Sequence, residues 1–160
     1  KYGQIDVIQP CSSLVWRFLD LEEMDYCIEN QIGVISYCTL AQGILTGKFN
    51  KETRFPKEDG RSRVPLFQSP YYEGALDVTE KLRPFAEKYG VTLAQLSIRW
   101  VMQKNGITAP IVGAKNPAQV QDNVKASNFV ISKEDFAAMD AISREFAYNL
   151  PRFRTFFSAE

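Results

Sequence analysis

Histidine is absent from this sequence of 160 residues. Without an imidazole, the chain cannot form a Ser-His-Asp or Cys-His nucleophile system, a histidine general base or a histidine-ligated zinc site. An excess of basic charge is absent too, because 19 lysines and arginines balance 19 aspartates and glutamates. A nucleic-acid-binding surface normally has a basic excess. We therefore expect neither a nucleic-acid partner nor a bound metal.

Cysteine is scarce, and long apolar runs are missing. Cys11, Cys27 and Cys38 form no CxxC pair and are odd in number, which favours reduced thiols over a disulfide framework. No apolar run approaches the roughly 20 residues that span a bilayer, and no signal peptide is recognisable. We expect a cytoplasmic protein with no membrane partner. Because the chain opens at Lys1 rather than at Met, we also expect it to be an internal piece of a longer protein.

Short apolar runs alternate with helical patterns along the chain. The runs 5–9 and 34–38 have the length and β-branched content of buried strands, and a third strand is predicted around Ile111 and Val112. This order predicts an α/β fold with a parallel sheet. Three strands cannot close a (β/α)8 barrel, which needs eight. The sequence therefore predicts part of a larger fold.

Helix starts are marked by capping patterns, in which a side chain accepts a free amide at the helix end. Gly33 and Gly90 are the predicted helix stops, and one helix is predicted from Leu76 to Tyr89. The predicted starts are Asp20 with Glu23, Thr92 with Gln95, Asn116 with Pro117 and Gln119, and Ser132 with Asp135.

The segment 41–74 is rich in glycine and proline and has little periodicity. Loops longer than about 15 residues in compact domains are usually functional lids or disordered segments, so we predict a lid. Within it, Gly43 and Gly47 precede Lys48, but a Walker A motif requires a longer spacing and a Ser or Thr after the lysine. A looser anion cradle and a plain tight turn both stay open.

A second candidate anion site is the segment 113–123. A strand that ends in Gly-Ala-Lys and enters a capped helix at Asn116 presents free amides and the positive end of a helix dipole, with Lys115 beside them. A simple strand-to-helix connection is an equally good interpretation of this segment by itself.

Linked motifs follow one another along nearly the whole chain: IQPCSSL, IGVISYCTLAQGILTGKF, the Arg61 region, EKLRPFAEKYGVTLAQLSIRWVMQ, ITAPIVGAKNPAQVQDN and SKEDFAAMDAIS. Together they closely resemble the aldo-keto reductases, the NADPH-dependent oxidoreductases built on a (β/α)8 TIM barrel. Their order matches the sixth to eighth strands of the family's barrel with their helices. The resemblance implies that residues 1–160 are the C-terminal, cofactor-binding part of such a barrel, incomplete in this chain, with a lid loop at 41–74 and a tail at 149–160.

The resemblance also implies where NADP(H) would bind. Gln9 matches the position beside the nicotinamide, and Tyr37 matches the aromatic position that stacks on its ring. Lys115 is the implied partner of the 2′-phosphate, which favours NADPH over NADH. By themselves, Tyr37 fits a core residue and Lys115 a solvated one. The other implied positions are Cys38, Leu40, Ala41, Gln42 and Gly43 in the pyrophosphate loop, Lys48 and Arg61 (or Arg63 instead) as its cations, and Gly113, Gln119, Asp122 and Asn123 around the adenosine.

The chain departs from the family pattern in two respects. Many members have Ser-Pro-Leu after the stacking aromatic, whereas here Cys38-Thr39-Leu40 follows Tyr37. Without that proline the loop gains a backbone N–H donor and conformational freedom. We interpret Cys38 as a packed thiol rather than a redox sensor. More importantly, the family's catalytic Asp, Tyr, Lys and His lie on earlier strands, so no residue of this chain is assigned a catalytic role.

These features imply an enzyme that reduces an aldehyde or ketone with NADPH, completed by a missing N-terminal barrel half. We expect the isolated chain to be inactive. A rival hypothesis is a regulatory, redox-sensing subunit resembling the potassium-channel beta subunits, and a third is a remnant that neither folds nor binds. In the family the tail often shapes the substrate pocket, so Phe153, Phe156 and Phe157 could line it, or could instead pack on an outer helix or a second subunit. The oligomeric state is left open.

Overall fold

The sheet consists of three short parallel strands: β1 (Val7–Ile8), β2 (Gly33–Ser36) and β3 (Ile107–Pro110), in the order β1-β2-β3. The structure is a computed structural model that describes residues 3–151, apart from the side chains of Leu21 and Glu22, together with Phe157. Val34 of β2 pairs with Ile8 on one side and Ile107 on the other. The predicted α/β class with parallel strands is confirmed, and within the described residues the sheet is open, with β1 and β3 at its edges.

Six α-helices and four 3₁₀ helices surround this sheet in the described part of the chain. The α-helices are α1 (Leu19–Glu29), α2 (Tyr71–Lys81), α3 (Arg83–Tyr89), α4 (Leu93–Gln103), α5 (Pro117–Val124) and α6 (Lys133–Ala147). The 3₁₀ helices are Ala41–Thr46, Gly60–Arg63, Pro65–Phe67 and Lys125–Asn128. Three of the 3₁₀ helices thus lie inside the segment 41–74, whose end overlaps the first turn of α2. None of the described helices is long and apolar enough to cross a bilayer.

The third strand ends at Pro110, just before the predicted centre at Ile111 and Val112, so that placement is wrong. β2 ends at Ser36, whose carbonyl accepts the Ile111 N–H at 2.7 Å. This is the last backbone hydrogen bond between β2 and the chain that follows β3. The chain beyond Ile111 therefore leaves the sheet and becomes available to a site.

The single helix predicted between Leu76 and Tyr89 is two helices, α2 and α3. Pro84 lies in the first turn of α3. It has no N–H for the Glu80 carbonyl, and its ring would clash with that carbonyl in a continuous helix. Proline is well tolerated in a first turn, where amides lack intrahelical partners anyway. The chain therefore ends α2 at Lys81 and starts again at Arg83.

The predicted capping box of Asp20 and Glu23 is wrong. α1 starts at Leu19, and no side chain caps it. Asp20 lies in the first turn, where one carboxylate oxygen contacts the Arg17 guanidinium at 2.6 Å and the other contacts the Lys104 ammonium. Hydrogen bonds between charged groups are about twice as strong as neutral ones, so these cations bind the carboxylate in place of an amide.

Gly33 does not stop α1, as we had predicted, because it is the first residue of β2. The helix ends earlier with Gln31 in the left-handed region at φ 56°. The Ile32 N–H donates to the Cys27 carbonyl at 2.8 Å and the Gln31 N–H donates to the Ile28 carbonyl at 3.3 Å, which is the Schellman pattern. A glutamine thus fills a position that usually favours glycine.

The other predicted helix starts are confirmed. Thr92 and Gln95 form a reciprocal capping box at α4, Asn116 accepts from the Gln119 amide at α5, and Ser132 accepts from the Asp135 amide at α6. One detail differs at α5. Gln119 Oε1 accepts from the Lys115 N–H at 2.7 Å and does not return a bond to Asn116, the N-cap residue, as a closed box would.

Two apolar cores hold these elements together. The larger lies among α2, α4, α6 and the 3₁₀ helix Ala41–Thr46, where Trp100 is fully buried and stacks on Phe136 at 5.4 Å between ring centroids. The smaller lies under α1, around Cys27 and Val34. The larger core joins α4 to the segment after β2, so it fixes two of the elements that form the site.

Candidate functional site

A cavity of about 1040 Å³ lies beyond the carboxyl ends of β2 and β3. Parallel α/β folds bind their ligands at this end of the sheet, on the loops that follow the strands. The wall is built by the segments after β2 and β3, the 3₁₀ helix Gly60–Arg63, the start of α4 and the helix α5. The structure brings most of the predicted site residues together there: Cys38, Leu40, Gln42, Gly43, Lys48, Arg61, Gly113, Lys115, Gln119, Asp122 and Asn123.

Three predicted site residues do not line the cavity. Gln9 follows β1, and its side chain is exposed. The Ala41 side chain is fully buried in the core, so only its backbone can face a ligand. Tyr37 stands beside the cavity, with its N–H donating to the Pro10 carbonyl at 2.9 Å. Burial raises the pKa of the Tyr37 hydroxyl, and the neighbouring cysteines raise it further.

The Tyr37 ring has a stacking partner from the C-terminal tail. Phe157 lies parallel to it, with an interplanar angle of 5° and 6.2 Å between centroids, and Phe157 also lines the cavity. The predicted pocket residues Phe153 and Phe156 lie outside the described residues. The stack shows that a flat ring can be accommodated on this face of Tyr37.

The loop after β2 has an unusual backbone. Cys38, Ala41 and Gln42 have φ values of 56°, 47° and 52°, and Gly43 has 106°. A left-handed conformation costs a non-glycine residue about 1–2 kcal/mol, and such strain clusters at ligand-binding sites. Thr39 steadies the loop by donating from its hydroxyl to the Ile111 carbonyl at 3.0 Å. That bond ties together the two segments that leave β2 and β3.

An aromatic cluster orders the segment 41–74 and carries Arg61. Phe55 makes edge-to-face contacts with Phe49 and Phe67 at 5.2 and 5.1 Å. The Arg61 guanidinium lies over Phe55 at 4.5 Å and over Phe49 at 5.4 Å. Arg61 therefore reaches the cavity from a packed platform, whereas the exposed Arg63 is not among the lining residues.

Arg61 is already paired with a carboxylate in the cavity wall. Its Nε donates to Asp59 Oδ1 at 2.9 Å and its Nη2 to Asp59 Oδ2 at 2.5 Å. These bonds, together with a smaller effect of the positive charge of Lys115, lower the pKa of Asp59 to about 2. Within the described part of the chain, by contrast, no carboxylate forms an ion pair with Lys48 or Lys115. Those two lysines are therefore the cations available to an anionic ligand.

The entrance to α5 is fixed by side-chain bonds to amides. Asn116 Oδ1 accepts from the Gln119 N–H at 2.9 Å, while Gln119 Oε1 accepts from the Lys115 N–H. Gln119 thus uses its side-chain oxygen to fix the Lys115 amide, and its amide NH₂ can donate to a ligand. Lys115 itself is exposed at the rim of the cavity.

The far wall is braced by α4. The Gln95 side-chain amide donates to Asp122 Oδ1 at 2.9 Å and to the Asp122 carbonyl at 3.1 Å. This bracing holds the α5 turn that presents Asn123 to the cavity, half-buried. Asp122 therefore has two functions in the structure. It lines the cavity, and it anchors α5 to α4.

Sequence reasoning missed several cavity residues. Thr92 and Ala94 enter the wall from the start of α4, and Asp59 enters it beside Arg61. The signal at Thr92 was recognised only as a helix cap. For Asp59 the signal was its position two residues before a predicted phosphate-binding arginine.

Comparison with known proteins identifies this arrangement. Residues 1–144 match the model of the aldo/keto reductase family. A solved structure, the glycerol dehydrogenase of Gluconobacter oxydans, superposes with a TM-score of 0.81 and 32% identity, covering 95% of this chain and 46% of that one.

Two curated relatives illustrate the range of the matches. The NADH-specific methylglyoxal reductase of Escherichia coli is 30% identical over 152 residues, covering 95% of this chain and 45% of the relative. A probable voltage-gated potassium channel subunit beta of Arabidopsis thaliana is 35% identical over 104 residues, covering 62% of this chain and 31% of the relative. The chain thus spans at most about half the length of these relatives.

Proposed function

Because the chain belongs to the aldo/keto reductase family, we propose that it is the cofactor-binding part of an enzyme that reduces an aldehyde or ketone with NADPH. The observation that carries this proposal is the cavity, which joins the segments after two neighbouring strands to α5. Its wall offers cations, free backbone and a neighbouring aromatic ring, the groups that a dinucleotide needs.

The residues present fit such a ligand. Gly113 leaves open space where a side chain would stand, so its backbone can be approached closely. Lys48 and Lys115 provide charge for phosphates, and the Tyr37 ring accepts a parallel ring. A bound nicotinamide would supply the hydride that reduces the carbonyl carbon.

The roles proposed for the chain's own residues combine these positions with the family resemblance. Tyr37 packs against one face of the nicotinamide and Gln9 orients its amide. The loop Cys38, Leu40, Ala41, Gln42 and Gly43 holds the pyrophosphate, and Lys48 and Arg61 close over it from the segment 41–74, which serves as the lid. Gly113, Lys115, Gln119, Asp122 and Asn123 hold the adenosine end. Together these contacts would fix the ring and exclude water from it.

The proton donor to the carbonyl oxygen belongs to the part of the barrel that this chain lacks. We therefore propose that an N-terminal barrel half completes the active site, that the substrate is a small carbonyl compound, and that the intact protein is cytoplasmic. The isolated chain should show no carbonyl-dependent oxidation of NADPH.

A second candidate is a regulatory role, favoured by the similarity to a potassium channel subunit beta. In that case cofactor occupancy rather than turnover would be the signal. Both candidates need the same cofactor cavity, and the catalytic residues of the missing half discriminate between them. Turnover by the intact protein supports the enzyme, and cofactor binding without turnover supports the regulator.

Titration of the protein with NADPH, followed by nucleotide fluorescence, tests the cavity directly. Tyr37→Ala should weaken binding because it removes the stacking surface, which is worth about 0.5–1.5 kcal/mol for an aromatic pair, or about 2- to 13-fold in Kd. Tyr26, which is 60% exposed on α1, is the matched control. An equal loss in Tyr26→Ala, or no loss in Tyr37→Ala, would overturn the assignment.

A further inference from the structure

Cys11 and Cys38, which are separated along the chain, are neighbours in space. The residues beyond the paired ends of β1 and β2 continue side by side, with a parallel bridge between Cys11 and Tyr37. The Tyr37 N–H donates to the Pro10 carbonyl and the Ser12 N–H donates to the Tyr37 carbonyl at 3.2 Å. Cys38 follows Tyr37 in the chain, so its backbone lies one residue beyond the position opposite Cys11.

The two thiols influence each other. In a regular strand, Cys38 would point to the face opposite to Tyr37. Its left-handed backbone, with φ 56°, breaks that alternation, and the interaction between the two thiols raises the pKa of Cys11 and lowers the pKa of Cys38. Adjacent strands lie about 4.8 Å apart, and disulfides join residues whose Cα atoms lie about 4.4–6.8 Å apart. Cys38 is one residue beyond Tyr37, the residue opposite Cys11, so we expect its Cα about 6 Å from that of Cys11, which is within this range.

The environments of the two thiols differ in a useful way. Cys38 is half-buried and lines the cavity, whereas Cys11 is buried behind it with 8% exposure. The hydrogen bond from Cys11 lowers the pKa of Cys38, while burial raises the pKa of Cys11. The thiolate is the reactive form. Cys38 is thus the thiol that an oxidant reaches first, with Cys11 ready to resolve the product.

In contrast to the interpretation of Cys38 as a simply packed thiol, we propose that Cys11 and Cys38 form a peroxide-reactive thiol pair in the wall of the cavity. The Cys38 sulfur attacks a hydroperoxide, so that an S–O bond forms, the O–O bond breaks and water or an alcohol leaves. The Cys11 sulfur then attacks the resulting sulfenic acid, forming the S–S bond and breaking the S–O bond, and the proton of Cys11 leaves with the hydroxyl as water. The two thiols lose two electrons, and the hydroperoxide gains them.

Oxidation would act on the loop that follows β2. Cys38 is the first left-handed residue of this loop, and a disulfide would anchor it to the chain beyond β1. The consequence for cofactor binding rests on the proposed function, but formation of the disulfide does not.

The test uses a Cys27→Ser background, because Cys27 is the remaining cysteine. Hydrogen peroxide should convert the reduced protein to a monomer that has lost two hydrogens and both titratable thiols, and dithiothreitol should restore them. With Cys11→Ser added, oxidation should stop at a Cys38 sulfenic acid that dimedone traps. With Cys38→Ser added, Cys11 should resist peroxide. Three results would each overturn the proposal. They are a disulfide-linked dimer, two unreacted thiols, and a dimedone adduct that accumulates while Cys11 is present.

Cys27 in the natural sequence provides the internal control. It is 2% exposed in the core under α1 and should keep its thiol while Cys11 and Cys38 lose theirs. Oxidation of Cys27 at the same rate would show general unfolding and would refute site-specific reactivity. Saturating NADPH should slow the loss of the Cys38 thiol. If the disulfide forms at an unchanged rate with NADPH present, the thiol pair stands and the cofactor assignment fails.

Discussion

Charge reversal at Lys115 is the sharpest test of the proposed adenosine end of the site. Two unit charges about 4 Å apart interact by about 1 kcal/mol in water, and this limit applies because Lys115 is exposed at the cavity rim. Lys115→Glu changes the local charge by two units. It should therefore weaken binding of a 2′-phosphate by about 2 kcal/mol, or about 30-fold in Kd. NADH has no 2′-phosphate and should be much less affected.

The assay is a pair of fluorescence titrations, with NADPH and with NADH, at low and high salt. The difference between the two cofactors should shrink at high salt, because interactions of exposed charges are screened. Lys133→Glu, at the exposed start of α6, makes the same change in net charge away from the cavity. Equal weakening of NADPH and NADH by Lys115→Glu would refute the reasoning. Selective loss of NADPH binding in Lys133→Glu would refute it as well, because only the overall charge would then matter.

Three further predictions concern stability and pH. Thr92→Ala should lower the free energy of unfolding by about 1 kcal/mol in chemical denaturation, because α4 loses its capping box. Arg17→Ala should lower it by about 3 kcal/mol, because Arg17 is buried and paired with Asp20 and Asp140. Asp59 should titrate by NMR with a pKa of about 2. Since that value lies below the ordinary 3.8, its stabilising contribution is present above about pH 4 and disappears as the pH falls towards 2.

Each of these predictions has its own control. Thr92→Ser keeps the capping hydroxyl and should stay near the wild-type stability, so a loss as large as in Thr92→Ala would argue against the cap. Arg144→Ala removes a second, more exposed partner of Asp140 and should cost less than about 1 kcal/mol; a cost matching Arg17→Ala would contradict the role of burial. For Asp59, a midpoint at its ordinary pKa would show that the Arg61 pair does not persist in solution.

Local signals in the sequence predicted the helix starts well where the partners lie within three residues of each other. Thr92 and Gln95 need only their own turn to form a capping box, so the pattern and the structure agree. The capping box predicted at Asp20 is wrong for the same reason. The Asp20 carboxylate binds the ammonium of Lys104, which is 84 positions away in the sequence. Only tertiary packing brings that ammonium to the first turn of α1, and no local spacing can reveal it.

The site could be predicted in part because parallel strands deliver their following loops to one edge. Once strands were expected near 34–38 and around Ile111 and Val112, the segments after them were expected to meet, and the cavity joins these segments although β3 ends earlier, at Pro110. The contact between Cys11 and Cys38 could not be predicted, because it depends on the register of β1 against β2 and on one left-handed residue. Spacing along the chain contains neither of these.

The pairing of Arg61 changes how the cavity attracts an anion. The family resemblance implied that Arg61 and Lys48 together clamp the pyrophosphate, but Asp59 already neutralises the Arg61 guanidinium through three side-chain hydrogen bonds. A phosphate at Arg61 must share these donors with a carboxylate of the same sign. The net positive charge of the wall therefore comes from Lys48 and Lys115. Arg61, which lies over Phe55 at 4.5 Å, shapes the wall and offers its remaining donors, while the lysines would provide the attraction for a phosphate.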